Sequence, residues 1–162
     1  MSPETVESQV ELSHHGFELS VALLLQFVDL VVLFLECAAG PRNAARFAAV
    51  LAGDVVARKK PAPDIYNLAL QRLGCSPAEA LVIEDSRNGL QAATAAGLRS
   101  VITVSSYTRA ENFDEAALVV SDFGEPGGRI EVLANRSPAR PEGWVRLADL
   151  AACLEHRTGA CP

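Results

Sequence analysis

The chain has no Asp-x-Asp pair, no Cys-x-x-Cys pair, and no lysine or arginine before Arg42. Without paired cysteines, Cys37, Cys75, Cys153 and Cys161 lack zinc-site spacing, and His14-His15 lie far from all of them in sequence. The histidine pair has no third ligand and is expected to be exposed rather than metal-bound. With no secretory context, the four cysteines read as free thiols in a reducing, cytoplasmic setting. The missing basic start removes the positively charged region that a signal peptide needs. Positive charge is scarce overall: the formal net charge is −6 and the pI about 5.0. That balance excludes the basic footprint of a nucleic-acid binder. No internal repeat stands out, and 162 residues suit one domain of ordinary size.

What is present centres on Leu81-Val82-Ile83-Glu84-Asp85-Ser86-Arg87-Asn88-Gly89. The apolar run from Ala80 to Ile83 leads into two adjacent carboxylates and then a helical pattern through Leu90, Ala93 and Leu98. A short uninterrupted apolar run with a helix close behind reads as a buried parallel strand. Ser86 suits the N-cap of that helix and Gly97 its stop. Glu84 and Asp85 therefore fall at the carboxyl end of a central strand, where ligands bind in open α/β sheets. Adjacent carboxylates repel unless a cation relieves them, and hard oxygen donors near a phosphate suit Mg²⁺. By itself Glu-Asp-Ser is equally a polar turn capping a helix.

Lys60-Pro61-Ala62-Pro63-Asp64-Ile65-Tyr66 shifts that balance. Each proline restricts the residue before it to an extended shape, so Lys60 is expected to be held off the helix that begins near Asp64 as a fixed positive arm. A fixed lysine, a strand-end carboxylate pair and a helix N-terminus together make a phosphate-and-magnesium site.

These residues resemble the third and fourth motifs of the haloacid dehalogenase (HAD) superfamily: Lys60-Pro61, then Val82-Ile83-Glu84-Asp85-Ser86 and Gly89. The likeness continues through Gly97-Leu98-Arg99-Ser100-Val101-Ile102-Thr103 and Tyr107-Thr108 and ends near Pro126. Within the superfamily the pattern is most similar to the CbbY-like sugar-phosphate phosphatases, near phosphoglycolate phosphatase and β-phosphoglucomutase. The resemblance implies an α/β fold: a partial, Rossmann-like three-layer HAD core without a cap domain. It implies Lys60 as the catalytic cation that neutralises phosphate charge, and Glu84 and Asp85 at Mg²⁺. Ser86 and Asn88 would shape the phosphate-facing helix start. The expected substrate is a small phosphorylated metabolite, a sugar phosphate such as a pentulose bisphosphate.

Along the chain, residues 1–18 are polar and acidic and are expected to be disordered. Residues 19–39 are long and apolar, approaching the roughly 20 residues of a bilayer span. Gln26 and Asp29 lie within that stretch, and an Asp near the centre of a span costs about 2.5–3.5 kcal/mol. A buried strand and helix is the preferred reading, and a membrane-associated segment the minority one. Strands are expected at residues 47–51, 80–84, 99–104 and 117–120, and helices at 64–73 and 87–96. Residues 19–126 would form the partial core. Residues 127–162 would follow as loop, marked by Gly127-Gly128, Pro138 and Pro141, then a closing helix to Leu154 with Trp144 as a packing residue.

The family's nucleophile is the first Asp of an Asp-x-Asp motif near the N-terminus, with the second Asp as general acid/base. This chain has none. Asp29 follows an apolar run, but Leu30 and Val31 stand where its partner would be needed. The family's second-motif hydroxyl would fall near Leu24, Leu25, Gln26 and Phe27, and Ser20 is too early. Two expectations from different classes follow. One is a Mg²⁺-dependent phosphatase by family, inactive as given; the other is a non-catalytic, truncated or degenerate HAD domain that binds phosphate weakly or pairs with a partner chain. Loss of a central strand would expose backbone that an added strand, from residues 19–32 or from another protein, would complete.

Overall fold

In the computed structural model, the described residues are Ser20, Val21, Leu51 and residues 55–155. Their elements run β1 (Ser20–Val21), α1 (Asp64–Leu73), β2 (Ala80–Glu84), α2 (Arg87–Ala95), β3 (Arg99–Thr103), β4 (Leu118–Val120), β5 (Val132–Asn135) and α3 (Leu147–Leu154). The strands form one sheet in sequence order, parallel from β1 to β4, with β5 antiparallel at the end.

Strand alternation sorts the apolar side chains into two faces. Ala80 and Val82 of β2 join Ile65, Tyr66 and Ala69 of α1 and Ala92 and Ala93 of α2. Ile102 and Val119 lie with Leu90 of α2. Leu81, Val101, Leu118 and Val120 pack on the opposite side with Val145 and Cys153. Helices cover both faces, giving the three-layer Rossmann-like arrangement expected from the sequence. Because β1–β4 are parallel, their carboxyl ends share one edge, where β2 delivers Glu84.

Local chemistry fixes the helix ends. Asp64 opens α1 and Arg72 closes it, matching the helix dipole. Gly74 then takes a left-handed conformation at φ +67°, and its N–H donates to Leu70 O. Ser86 caps α2 as expected, its Oγ accepting the Gly89 N–H at 3.3 Å. Arg87 ties the start of α2 to the segment before β4: it grips the Glu115 carboxylate with both Nη atoms and donates to Asn112 O at 3.0 Å.

Two local expectations change. The segment after Pro126 is not all loop, because Val132–Asn135 forms β5, pairing with β4 across an irregularity at Val119/Val120. Its burial runs from exposed to half-buried without alternation, and flanking glycines and prolines mask so short an edge strand in the sequence. The Lys60 segment is a turn rather than an extended arm: the Ala62 N–H donates to Lys59 O at 3.0 Å, and the Lys60–Pro61 bond is cis. The strand expected at residues 47–51 lies outside the described residues except for Leu51, which is buried and in no strand. Within residues 19–39 only Ser20 and Val21 are described, in β1. The expectations for residues 1–18, Asp29 and residues 24–27 lie outside the described residues. No helix among the described residues is long and apolar enough to cross a membrane.

Two tests follow from this packing. Ser100 is buried in β3, and its hydroxyl has no partner among the described residues. Ser100→Ala removes an orphaned polar group and is expected to stabilise the protein by about 1 kcal/mol, read as a higher urea midpoint. The Arg87 guanidinium holds the Glu115 carboxyl down to about 2. A carboxyl with a depressed folded-state pKa stabilises above its ordinary pKa near 4.5 and loses that contribution as pH falls toward 2. Glu115→Gln should therefore melt below the parent at about pH 6, and the gap should narrow progressively below about pH 4.5.

Candidate active site

The site is built around Glu84, the last residue of β2. Alternation turns Glu84 to the same face as Val82, toward α1. Glu84 is buried, its side chain only 7 % exposed. Its Oε1 accepts from two donors, Lys60 Nζ and Tyr66 Oη. Its Oε2 lies 3.5 Å from Ser86 Oγ and against the backbone of Gly89. A Cβ at position 89 would stand 1.8 Å from Oε2, so a side chain there would force the carboxylate to move.

Lys60 reaches this carboxylate from the turn before α1, with its side chain 16 % exposed. Its Nζ also sits 5.3 Å from the centre of the Tyr66 ring, within cation–π range. The turn is braced by Arg58, which forks onto the Asp64 carboxylate at 2.7 and 3.0 Å. The neighbouring Arg58 guanidinium holds Asp64 below the usual carboxylate range. Burial, and then the Glu84 charge, push the Tyr66 phenol well above its ordinary value, so it remains a protonated donor.

The other candidate residues stand around this pair. Asp85 is exposed, with no hydrogen bond or ion pair among the described residues. Ser86 is engaged as the α2 cap. Asn88 is exposed in the first turn of α2. The N–H of Arg87 is taken by Glu111 Oε2 at 2.6 Å and that of Gly89 by Ser86, so the helix start is partly occupied by protein acceptors. The structure thus joins Lys60 to Glu84 directly and leaves Asp85 without a partner among the described residues. Tyr66 was not singled out from the sequence, where it reads as one more apolar position of α1. Its signal is the phenol placed six residues after Lys60.

Among the described residues no three His, Cys, Asp or Glu side chains converge on a metal-sized space. Mg²⁺ nevertheless asks little of a protein, binding through one or two carboxylates and keeping several waters. Asp85 supplies an exposed carboxylate of that kind just past β2, whereas Glu84 Oε1 is committed to Lys60 and Tyr66. The donor chemistry fits a hard cation at Asp85.

The haloacid dehalogenase-like hydrolase family matches residues 30–97, which include Lys60, Glu84, Asp85 and the start of α2. The chain is 39 % identical over 128 residues to the CbbY protein of Cereibacter sphaeroides, covering 79 % of this chain and 55 % of that protein. Over residues 30–97 the chain carries a haloacid dehalogenase-like hydrolase domain. A plasmid-encoded CbbY of Cupriavidus necator is 37 % identical over 142 residues, covering 88 % of this chain and 54 % of that protein. The crystal structure of CbbY from Rhodobacter sphaeroides in complex with phosphate aligns with a TM-score of 0.51 at 39 % identity, over 69 % of this chain and 40 % of that one. The chain spans about half the length of the curated CbbY relatives it matches.

The tight fit of Gly89 and Glu84 is testable as a pair. Gly89→Ala should cost about 1–3 kcal/mol by overpacking, measured by urea unfolding. With Glu84→Ala already in place the same substitution should cost far less, because the obstructed carboxylate is gone.

Proposed function

We propose that this haloacid dehalogenase-like chain carries the phosphate-anchoring half of a phosphatase site for a small phosphorylated sugar, with Mg²⁺ as cofactor. The observation that carries the reading is the Lys60 ammonium held on Glu84 at the carboxyl end of β2, beside the exposed Asp85. The likeness to CbbY proteins, one of them solved with phosphate, supports it.

In this reading Lys60 acts as a fixed point charge against a phosphate oxygen. Asn88 and the Ser86-capped start of α2 orient the same group from the other side. Asp85 would hold Mg²⁺, which when bound supplies further neutralisation of phosphoryl charge. Phosphoryl transfer in the family also needs a carboxylate nucleophile and an acid/base partner, and the 162 residues contain no Asp-x-Asp to provide them. One proton-transfer group alone contributes about 10²–10⁴ in rate, and such residues act as a unit. The chain by itself is therefore expected to bind phosphate without turning it over, and we place it in the cytosol.

A second reading has its own observation. The β1–β2 pairing covers Ala80 and Leu81, so among the described residues the rest of β2 has no strand on that side. Backbone left open beside the site would accept a strand from a partner chain.

The decisive measurement is phosphate release from a panel of sugar phosphates with Mg²⁺, using the parent, Asp29→Ala and Asp85→Ala. Release at background in all three is expected. Turnover of about 1 s⁻¹ or more, the low end of ordinary enzymes, would overturn the inactive reading. Its loss in Asp29→Ala would then identify Asp29 as the nucleophile. Sedimentation of the parent alone would show whether copies associate, as the second reading requires of a self-partner.

A further inference from the structure

We infer that Tyr66 is a positioning residue: its hydroxyl, by holding Glu84 Oε1, fixes the carboxylate that aims the Lys60 ammonium at the carboxyl end of β2. The inference deepens the proposed phosphate site and rests on that reading for its functional meaning.

Tyr66 is only 3 % exposed and packs in the core between α1 and β2. For packing alone, a phenylalanine would serve there as well. A buried phenol needs an acceptor, and this one shares its acceptor with Lys60. The consequence is geometric. A carboxylate at a strand end can turn about its terminal torsion, which is soft. Here Oε2 is backed by Gly89 and lies near Ser86, while Oε1 is held by two donors from α1 and the turn before it. Removal of the hydroxyl leaves Lys60 as the only donor on Oε1 among the described residues, and lysine is a flexible chain with a rotatable head. The ring below Lys60 Nζ remains either way.

The composition makes this measurable. The chain has two lysines, Lys59 and Lys60, and two tyrosines, Tyr66 and Tyr107. Lysine labelled with carbon-13 at Cε gives two signals, one from exposed Lys59 and one from Lys60 over the Tyr66 ring. In the ligand-free chain, Tyr66→Phe is expected to move the Lys60 signal toward that of Lys59. Tyr107→Phe, at a position 93 % exposed, should leave both in place. An unmoved Lys60 signal in folded Tyr66→Phe would overturn the inference and make Tyr66 a packing residue. Should that variant not fold, 3-fluorotyrosine incorporation keeps the hydroxyl while altering its acidity; it too must shift Lys60, and failure to do so overturns the inference.

A second arm adds inorganic phosphate with Mg²⁺. The parent's Lys60 signal should respond, and Tyr66→Phe should bind about threefold to tenfold more weakly, the worth of one hydrogen bond. Equal affinity in parent and variant would count against Tyr66 as well. A parent Lys60 that ignores phosphate while still shifting in Tyr66→Phe would sink the phosphate site and leave the positioning intact.

Discussion

A buried carboxylate has to be neutralised, and the arrangement at Glu84 follows from that constraint. Taking a carboxylate out of water costs several kcal/mol unless hydrogen bonds and an opposite charge replace the lost solvation. Glu84 receives both from residues before α1 and within its first turn: the ammonium of Lys60 and the hydroxyl of Tyr66. The fourth contact is a space rather than a bond, the missing side chain of Gly89. Breaking the ion pair from one side would strand a charge in the core, which is why such pairs are costly to interrupt even where they add little net stability. Glu84 thus joins the first helix to the central strand and holds a lysine at the sheet edge.

That edge is where the proposed phosphate site lies. In parallel sheets the carboxyl ends of the strands and the starts of the following helices point the same way, so charged groups gather there without special loops. Here the pair Glu84 and Asp85 divides its work: Glu84 ends β2 and is buried, while Asp85 lies just past the strand and is exposed. One carboxylate turns inward to secure a cation that belongs to the protein; the other stays in solvent with no partner among the described residues. Glu111 meanwhile takes the first amide of α2, so an incoming anion would meet an acidic competitor at the helix start.

Much of the fold could be read from the chain before its coordinates. The run from Ala80 to Ile83 is too apolar and too short for anything but a buried strand, and Ser86, Gly74 and the Asp64–Arg72 polarity mark their helix ends by chemistry that acts locally. The antiparallel β5 was not legible, because an edge strand without alternating burial has no period to detect. At the site, the presence of Lys60 and Glu84 could be read, but their mutual pairing could not. Spacing along the chain does not say which face a strand-end carboxylate takes, and the prolines around Lys60 suggested an extended arm where the chain makes a turn. Tyr66 was hidden for a different reason: an amphipathic period counts a tyrosine as apolar and ignores its hydroxyl.

The sequence distances within the Glu84 cluster are short. Lys60, Tyr66, Ser86 and Gly89 all lie within one stretch of the chain from the turn before α1 to the first turn of α2. Loop closure grows costlier only slowly, about 0.6 kcal/mol per doubling, and Lys60 and Tyr66 stand only 24 and 18 residues from Glu84. The β1–β2 pairing, by contrast, joins Ser20 to Ala80. Contacts of low sequence separation form early in folding. The lysine-bearing edge can therefore assemble with the α1–β2–α2 unit itself, ahead of the long-range pairing that sets β1 beside it.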